Sequence, residues 1–221
     1  MRTLFHRWQA RQADRARGEG GMTMLEVLVS MVLLGIVATV FATAMVSTTK
    51  AANKVVTLTD TADNVNTAFL SMDRTVRYAS MLSTPGRSTT SNAWYVEART
   101  TNTGAQQCTQ WRVDVSSKQL QSRTWNVVNS AASGTTAWKP LANLISNGAA
   151  AVGSADQPFV VIGTTDAIDS QRLTVTLVAS TPSTSASGST SRTAMTIAAI
   201  NSSSDNSDAT AAAPCQELGR P

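Results

Sequence analysis

A chain of 221 residues that is 42% hydrophobic and only 14% charged is long enough and apolar enough for one core of ordinary size. Its formal charge of +4 is unevenly held: residues 1–21 carry five arginines against Asp14 and Glu19, so the remaining 200 residues are only +1 and make no case for DNA binding. The single histidine, His6, lies in that basic block, and Cys108 and Cys215 stand far apart, which excludes a histidine-assisted nucleophile beyond residue 21 and any zinc motif.

No phosphate-binding or dinucleotide fingerprint is present either, so the sequence predicts no catalytic, cofactor-binding or metal-binding residues.

In chain order, the basic block MRTLFHRWQARQADRARGEGG closes on Gly18, Gly20 and Gly21. The run from Met22 to about Thr49 then holds one ionisable side chain, Glu26. At about 1.5 Å per helical residue this run is long enough for about 30 Å of hydrocarbon. The charge asymmetry predicts a cytoplasmic residue 1–21 segment, with everything beyond the span exported. Two simpler readings are an ordinary secretory signal cut near Ala42-Thr43-Ala44 and a plain uncleaved anchor. Neither accounts for the glycines before the span or for a carboxylate inside it, which costs a few kcal/mol in lipid unless a proton or a positive charge meets it.

Beyond the span, Val55, Leu58, Ala62, Val65, Phe69, Met72, Val76 and Ala79 recur at spacings of three and four, one apolar stripe with Asp and Arg residues on the solvated side. Neither Gly nor Pro occurs from Lys50 to Thr84, and Pro85-Gly86 supplies a stop. The pattern predicts one helix from Met22 to about Leu82, with residues 50–82 amphipathic and laid on a sheet.

After Pro85 come strand-like runs: AWYVEA (93–98), then CTQWRVDV (108–115) and LQSRTWNV (120–127) joined by a Ser-Ser-Lys turn as a hairpin. Trp111, Val113 and Val115 share a face by alternation. PFVVIG (158–163), RLTVTLVAS (172–180) and TAMTIAAI (193–200) follow, so residues 83–200 read as one antiparallel sheet of five or six strands packed on the helix, an α+β fold. The tract at 180–192 reads as a hairpin loop and residues 201–221 as a low-complexity tail. Two cysteines in an exported domain make a Cys108–Cys215 disulfide the simplest reading, with free thiols or an intermolecular link as the alternative. Such a bond would pin the tail to the head and, for a loop of about 100 residues, contribute up to ~4.7 kcal/mol. Asp205 and Asp208 in the tail are better read as solvated acids than as a calcium site.

The stretch GG-MTMLEVLVSMVLLGIVATVF resembles the class III signal of type IV pilins and type II secretion pseudopilins: a basic leader, a glycine, an apolar residue, and Glu at the fifth mature position. The resemblance implies a type IV pilin-like fold and cleavage between Gly21 and Met22 by a prepilin peptidase. It further implies N-methylation of Met22, and Glu26 meeting the terminal amine of a neighbouring subunit to set axial register. Implied partners are membrane lipid before assembly, an inner-membrane assembly platform and other pilin or pseudopilin subunits. The implied location is the cytoplasmic membrane, single-pass with the C-terminal domain extracytoplasmic, and then the filament.

The chain departs from the pattern in having Met where Phe is usual at the first mature position, a longer leader, and Gly35 rather than a proline in the span. The tryptophan-bearing hairpin and the late Thr-rich strand ending at Asn201 resemble J-type minor pseudopilins and related minor pilins. The reading from another class is a single-span, membrane-anchored extracytoplasmic binding module that does not polymerise.

Overall fold

The computed structural model describes residues 23–88, 90–102, 104–129, 131–165, 168–180, 190–202 and 215. The leader expected at 1–21, Met22, and the tail on either side of Cys215 lie outside these. The chain divides into two compact units, Met1–Asn53 and Lys54–Pro221.

Helix α1 (Met24–Arg77) has Glu26 in its first turn and Arg74 and Arg77 in its last, each sign matching the helix dipole at that end. It passes through Gly35 without interruption. The helix ends at Arg77, not near Leu82 as the stripe predicts. The Ala79 amide donates to the Val76 carbonyl at 3.0 Å, and Ser80 then donates to the Arg99 carbonyl at 2.8 Å. Met81 and Leu82 form strand β1 (Met81–Leu82), paired with Arg99 and Ala98 and only 2% and 3% exposed. Burial against a sheet edge overrides a local preference that would continue the helix. Pro85-Gly86 is therefore no helix stop; Gly86 opens strand β2 (Gly86–Ser88).

Within the second unit, α1 buries Thr61, Val65, Ala68, Phe69, Met72 and Val76. The expected stripe holds from Val65 onward, with Ala79 buried just past the helix. Val55 and Ala62, expected on the stripe, are exposed. Thr61 takes a buried place because its hydroxyl donates to the Thr57 carbonyl at 2.7 Å, which removes the cost of an unpaired polar group.

The head carries two antiparallel sheets rather than one. The larger is built on β3 (Ala93–Asn102), β4 (Ala105–Asp114) and β5 (Gln119–Val128). Its margins are short pieces: β1 and β2 on one side of β3, β6 (Ala131–Ser133) and β7 (Lys139–Ala142) on the far side of β5. The smaller sheet is β8 (Phe159–Ile162), β9 (Gln171–Ser180) and β10 (Thr190–Ala199), with β9 central. The β9–β10 hairpin pairs from Gln171↔Ala199 out to Ser180↔Thr190, so its strands run further into the Ser/Thr-rich tract than the composition suggests.

Between β4 and β5 the expected turn is present: Asp114 Oδ2 accepts from the Ser117 amide at 2.7 Å and hydroxyl at 2.6 Å, and Lys118 takes φ +52°. Val115 falls in this turn, so the alternating face of β4 ends at Val113.

One core joins the α1 stripe to Trp94, Val96, Trp111, Val113 and Leu120 of the larger sheet and to Phe159, Leu173, Val175 and Ile197 of the smaller. Buried polar side chains tie the smaller sheet to β1 and to the segment that precedes β8. Gln171 Oε1 accepts the Leu82 amide at 2.8 Å, and the Asn147 amide nitrogen donates to the carbonyls of Asp156 and Thr176, both at 2.8 Å. Asn147 opens a 3₁₀ turn, Asn147–Ala149. In that turn Gly148 lies so close to β4 that a Cβ would stand 3.0 Å from Val115 Cγ2 and 3.2 Å from the Val115 nitrogen.

Candidate processing and assembly segment

Thr23 stands immediately before α1. Its hydroxyl accepts the Glu26 amide N–H at 3.4 Å, and its carbonyl accepts the amides of Glu26 at 2.9 Å and Val27 at 3.2 Å. Thr-Met-Leu-Glu is thus the Ser/Thr-x-x-Glu pattern that occupies the free N–H groups of a first helical turn. Read as an isolated acid in an apolar run, Glu26 hides this local role, although the pattern stands in the sequence at 23–26. A carboxylate here also meets the positive end of the helix dipole, worth about 0.3–1 kcal/mol. Gly21 and Met22, the cleavage and methylation residues implied by the resemblance, lie outside the described residues.

From Met24 to Val46 every large apolar side chain of α1 is exposed, Leu25 at 73% and Phe41 at 64%. The helix is long and apolar enough to cross a membrane, and its most apolar stretch is 0% buried within the chain. Threonine hydroxyls here are turned inward: Thr43 donates to the Thr39 carbonyl at 3.0 Å, Thr48 to Ala44 at 2.9 Å and Thr49 to Met45 at 2.9 Å. Each is satisfied by its own helix and needs no water. The segment is an apolar rod with one acid near its start, suited to lipid or to a bundle of like helices.

In the head, Cys108 and Cys215 are joined by a disulfide, with Cα atoms 5.6 Å apart across 107 residues. Both are buried and pack with Trp125, Val127 and Ala132. This is the face of the larger sheet that points away from α1, since Cys108 alternates with the core residues Trp111 and Val113.

The same face carries a polar network that the sequence analysis did not identify. Glu97 and Gln110 are both 0% exposed. Ser83 donates from its hydroxyl to Glu97 Oε2, Gln110 Nε2 donates to Glu97 Oε1 at 2.6 Å, and Arg123 Nε donates to Gln110 Oε1 at 2.8 Å. The Arg112 and Arg123 guanidinium carbons lie 4.1 and 4.3 Å from the centroid of the Trp138 ring. Burial holds the Arg123 guanidinium below the ordinary arginine value. The available signal was weak: Glu97 and Gln110 sit on β-patterned runs at positions that alternation assigns to solvent.

No cluster of three or more His, Cys, Asp or Glu side chains able to hold a metal occurs among the described residues. Asp205 and Asp208 fall outside them.

Residues 16–42 match the family described as the prokaryotic N-terminal methylation motif, a match over 27 of the 221 residues. No curated protein and no solved structure gives a significant match to the chain. The matched segment spans the glycines, Glu26 and the first turns of α1. The chain thus carries the signature of type IV pilins and pseudopilins, joined to a head domain of the type IV pilin-like α+β layout.

Proposed function

We propose that this chain is a minor pilin or pseudopilin, a structural subunit of a type IV pilus or type II secretion-like filament and not an enzyme. The observation that carries the reading is the coincidence of the methylation motif at 16–42 with a capped helix whose large apolar side chains from Met24 to Val46 are exposed. In this reading residues 1–21 are a cytoplasmic leader that a prepilin peptidase removes after Gly21, and Met22 is then N-methylated. Residues 22–49 hold the subunit in the cytoplasmic membrane with the head outside. An inner-membrane assembly platform then moves the helix from lipid into a core of like helices, so that its apolar surface stays away from water throughout. Glu26 pairs with the new amino group of a neighbouring subunit, and a lone polar residue in an apolar bundle sets register in this way. The Trp-bearing hairpin favours the J-type minor pseudopilins or related minor pilins within the class.

Mass spectrometry of the membrane-extracted protein tests this. The expected N-terminus is N-methylated Met22. A chain that still begins at Met1 in cells with an active prepilin peptidase, or one cut near Ala44, replaces this reading with a membrane-anchored binding module.

A further inference from the structure

The face of the larger sheet that meets α1 changes character along its strands. At one end β3, β4 and β5 present Val96, Val113 and Leu120 to the core; at the other the same face presents Thr100, Thr109 and Thr124. Between this polar end and the last turns of α1 lies an open groove of about 540 Å³, within the range of small-molecule sites, roughly 300–1,000 Å³. It lies wholly within the second unit. The last turn of α1 contributes Arg74 and the turn just beyond it Tyr78 to one wall, and Trp111 lies in the sheet wall.

Three properties of the groove restrict what it can hold. Its polar lining is made of hydroxyls and amides; Thr75, Thr100, Gln107 and Asn201 each donate to a protein oxygen but keep acceptor capacity, so the lining suits a polar occupant rich in donors. Thr109 lines the groove although the residue as a whole is 8% exposed, and its hydroxyl makes no hydrogen bond among the described residues, so its donor and acceptor sites are open to an occupant.

Arg74 carries the only formal charge in the lining and makes no ion pair among the described residues; neighbouring Asp73 is held by Arg77 at 2.8 Å. Any charge on the occupant is therefore negative. Tyr78, 61% exposed, adds an aromatic ring, which offers an apolar face and a polar tip together.

A molecule with many hydroxyls, apolar C–H faces and a carboxylate meets all three conditions. We propose that this groove binds an acidic saccharide of the uronic-acid class. Arg74 holds its carboxylate, Thr109 and the hydroxyls of β3 and β5 bind its ring hydroxyls, and Tyr78 covers one sugar face. The proposal stands on the head domain alone and does not depend on filament assembly.

The test is calorimetric titration of the full-length protein in detergent micelles with trigalacturonate, alongside maltotriose as a neutral sugar of the same size and tripolyphosphate as an anion without hydroxyls. Trigalacturonate is expected to saturate below about 10 mM and to bind at least about tenfold more tightly than either control. Arg74→Gln should weaken it about tenfold with unchanged thermal unfolding, since Arg74 is exposed. Thr109→Val, nearly isosteric, should weaken it as well. No saturation of trigalacturonate, equal binding of either control, or indifference to both substitutions would overturn the assignment.

Discussion

The Thr23 hydroxyl accepts the backbone N–H of Glu26, so the carboxylate of the apolar segment belongs to the first turn of α1 and is joined to the residue that starts the helix. The backbone of Glu26 thus closes the helix end, and its carboxylate stands at the positive end of the helix dipole, a local part separable from the proposed part between subunits. Glu26→Gln keeps the side-chain type that completes a capping pattern and removes the charge; Glu26→Ala removes both. If register depends on charge, both variants are processed normally and both fail to enter filaments, as read by shearing and immunoblotting of assembled fibres. Assembly of Glu26→Gln at the parental level would refute a register role that depends on charge.

Gly148 makes a close approach to Val113 and to Val115 in the turn after β4, which a side chain could share only if these neighbours shifted by a few tenths of an ångström. In Gly148→Ala the new methyl would meet Val115 Cγ2 at 3.0 Å and the Val115 nitrogen at 3.2 Å. The backbone atom cannot rotate away, so a loss of about 1–3 kcal/mol is expected. Chemical denaturation of the head, followed by tryptophan fluorescence, measures it.

The disulfide should matter more. Cys215→Ser opens a link across 107 residues and should cost about 2–5 kcal/mol. Trp125 packs against both sulfur-bearing residues, so its emission should change in the same variant before any denaturant is added. Identical migration of the parental protein in reduced and non-reduced gels, with both thiols open to alkylation, would show that the bond does not form in the cell.

Gln110 is fully buried and joins Glu97 to Arg123. Gln110→Leu fits the space but deletes the bonds to Glu97 and Arg123, and a loss of about 1–3 kcal/mol is expected. Thermal unfolding by circular dichroism reports it, and an unchanged midpoint would mean that water takes over both partners.

Legibility in the sequence followed the strength of periodic signals. Val65, Phe69, Met72 and Val76 were readable because a helix on a sheet buries one stripe, and Trp111 and Val113 because a strand alternates. The helix end was not, because Met81 and Leu82 leave α1 to pair with the backbone of β3, and nothing in their side chains announces that partner. The short pieces β2, β6 and β7 were missed for the same reason: three or four residues carry no period, and their place is decided by the strand beside them. The division into two sheets lay out of reach as well, since it rests on buried links such as Gln171 to Leu82. At the N-terminus the lone acid was conspicuous. Its neighbour Thr23 was not, because a threonine in an apolar run looks like filler until the helix start is located.

The inward-turned threonines of α1 bear on how such a helix could leave a membrane. Because each of these hydroxyls already has its acceptor one turn back, exchanging a lipid environment for a protein one breaks none of these bonds and strands none of these polar atoms. Extraction would then be opposed by the fit of side chains against their new neighbours and by whatever happens to Glu26. The single carboxylate is the one ionisable group between Met22 and Thr49, and hence the group whose charge most distinguishes the two environments.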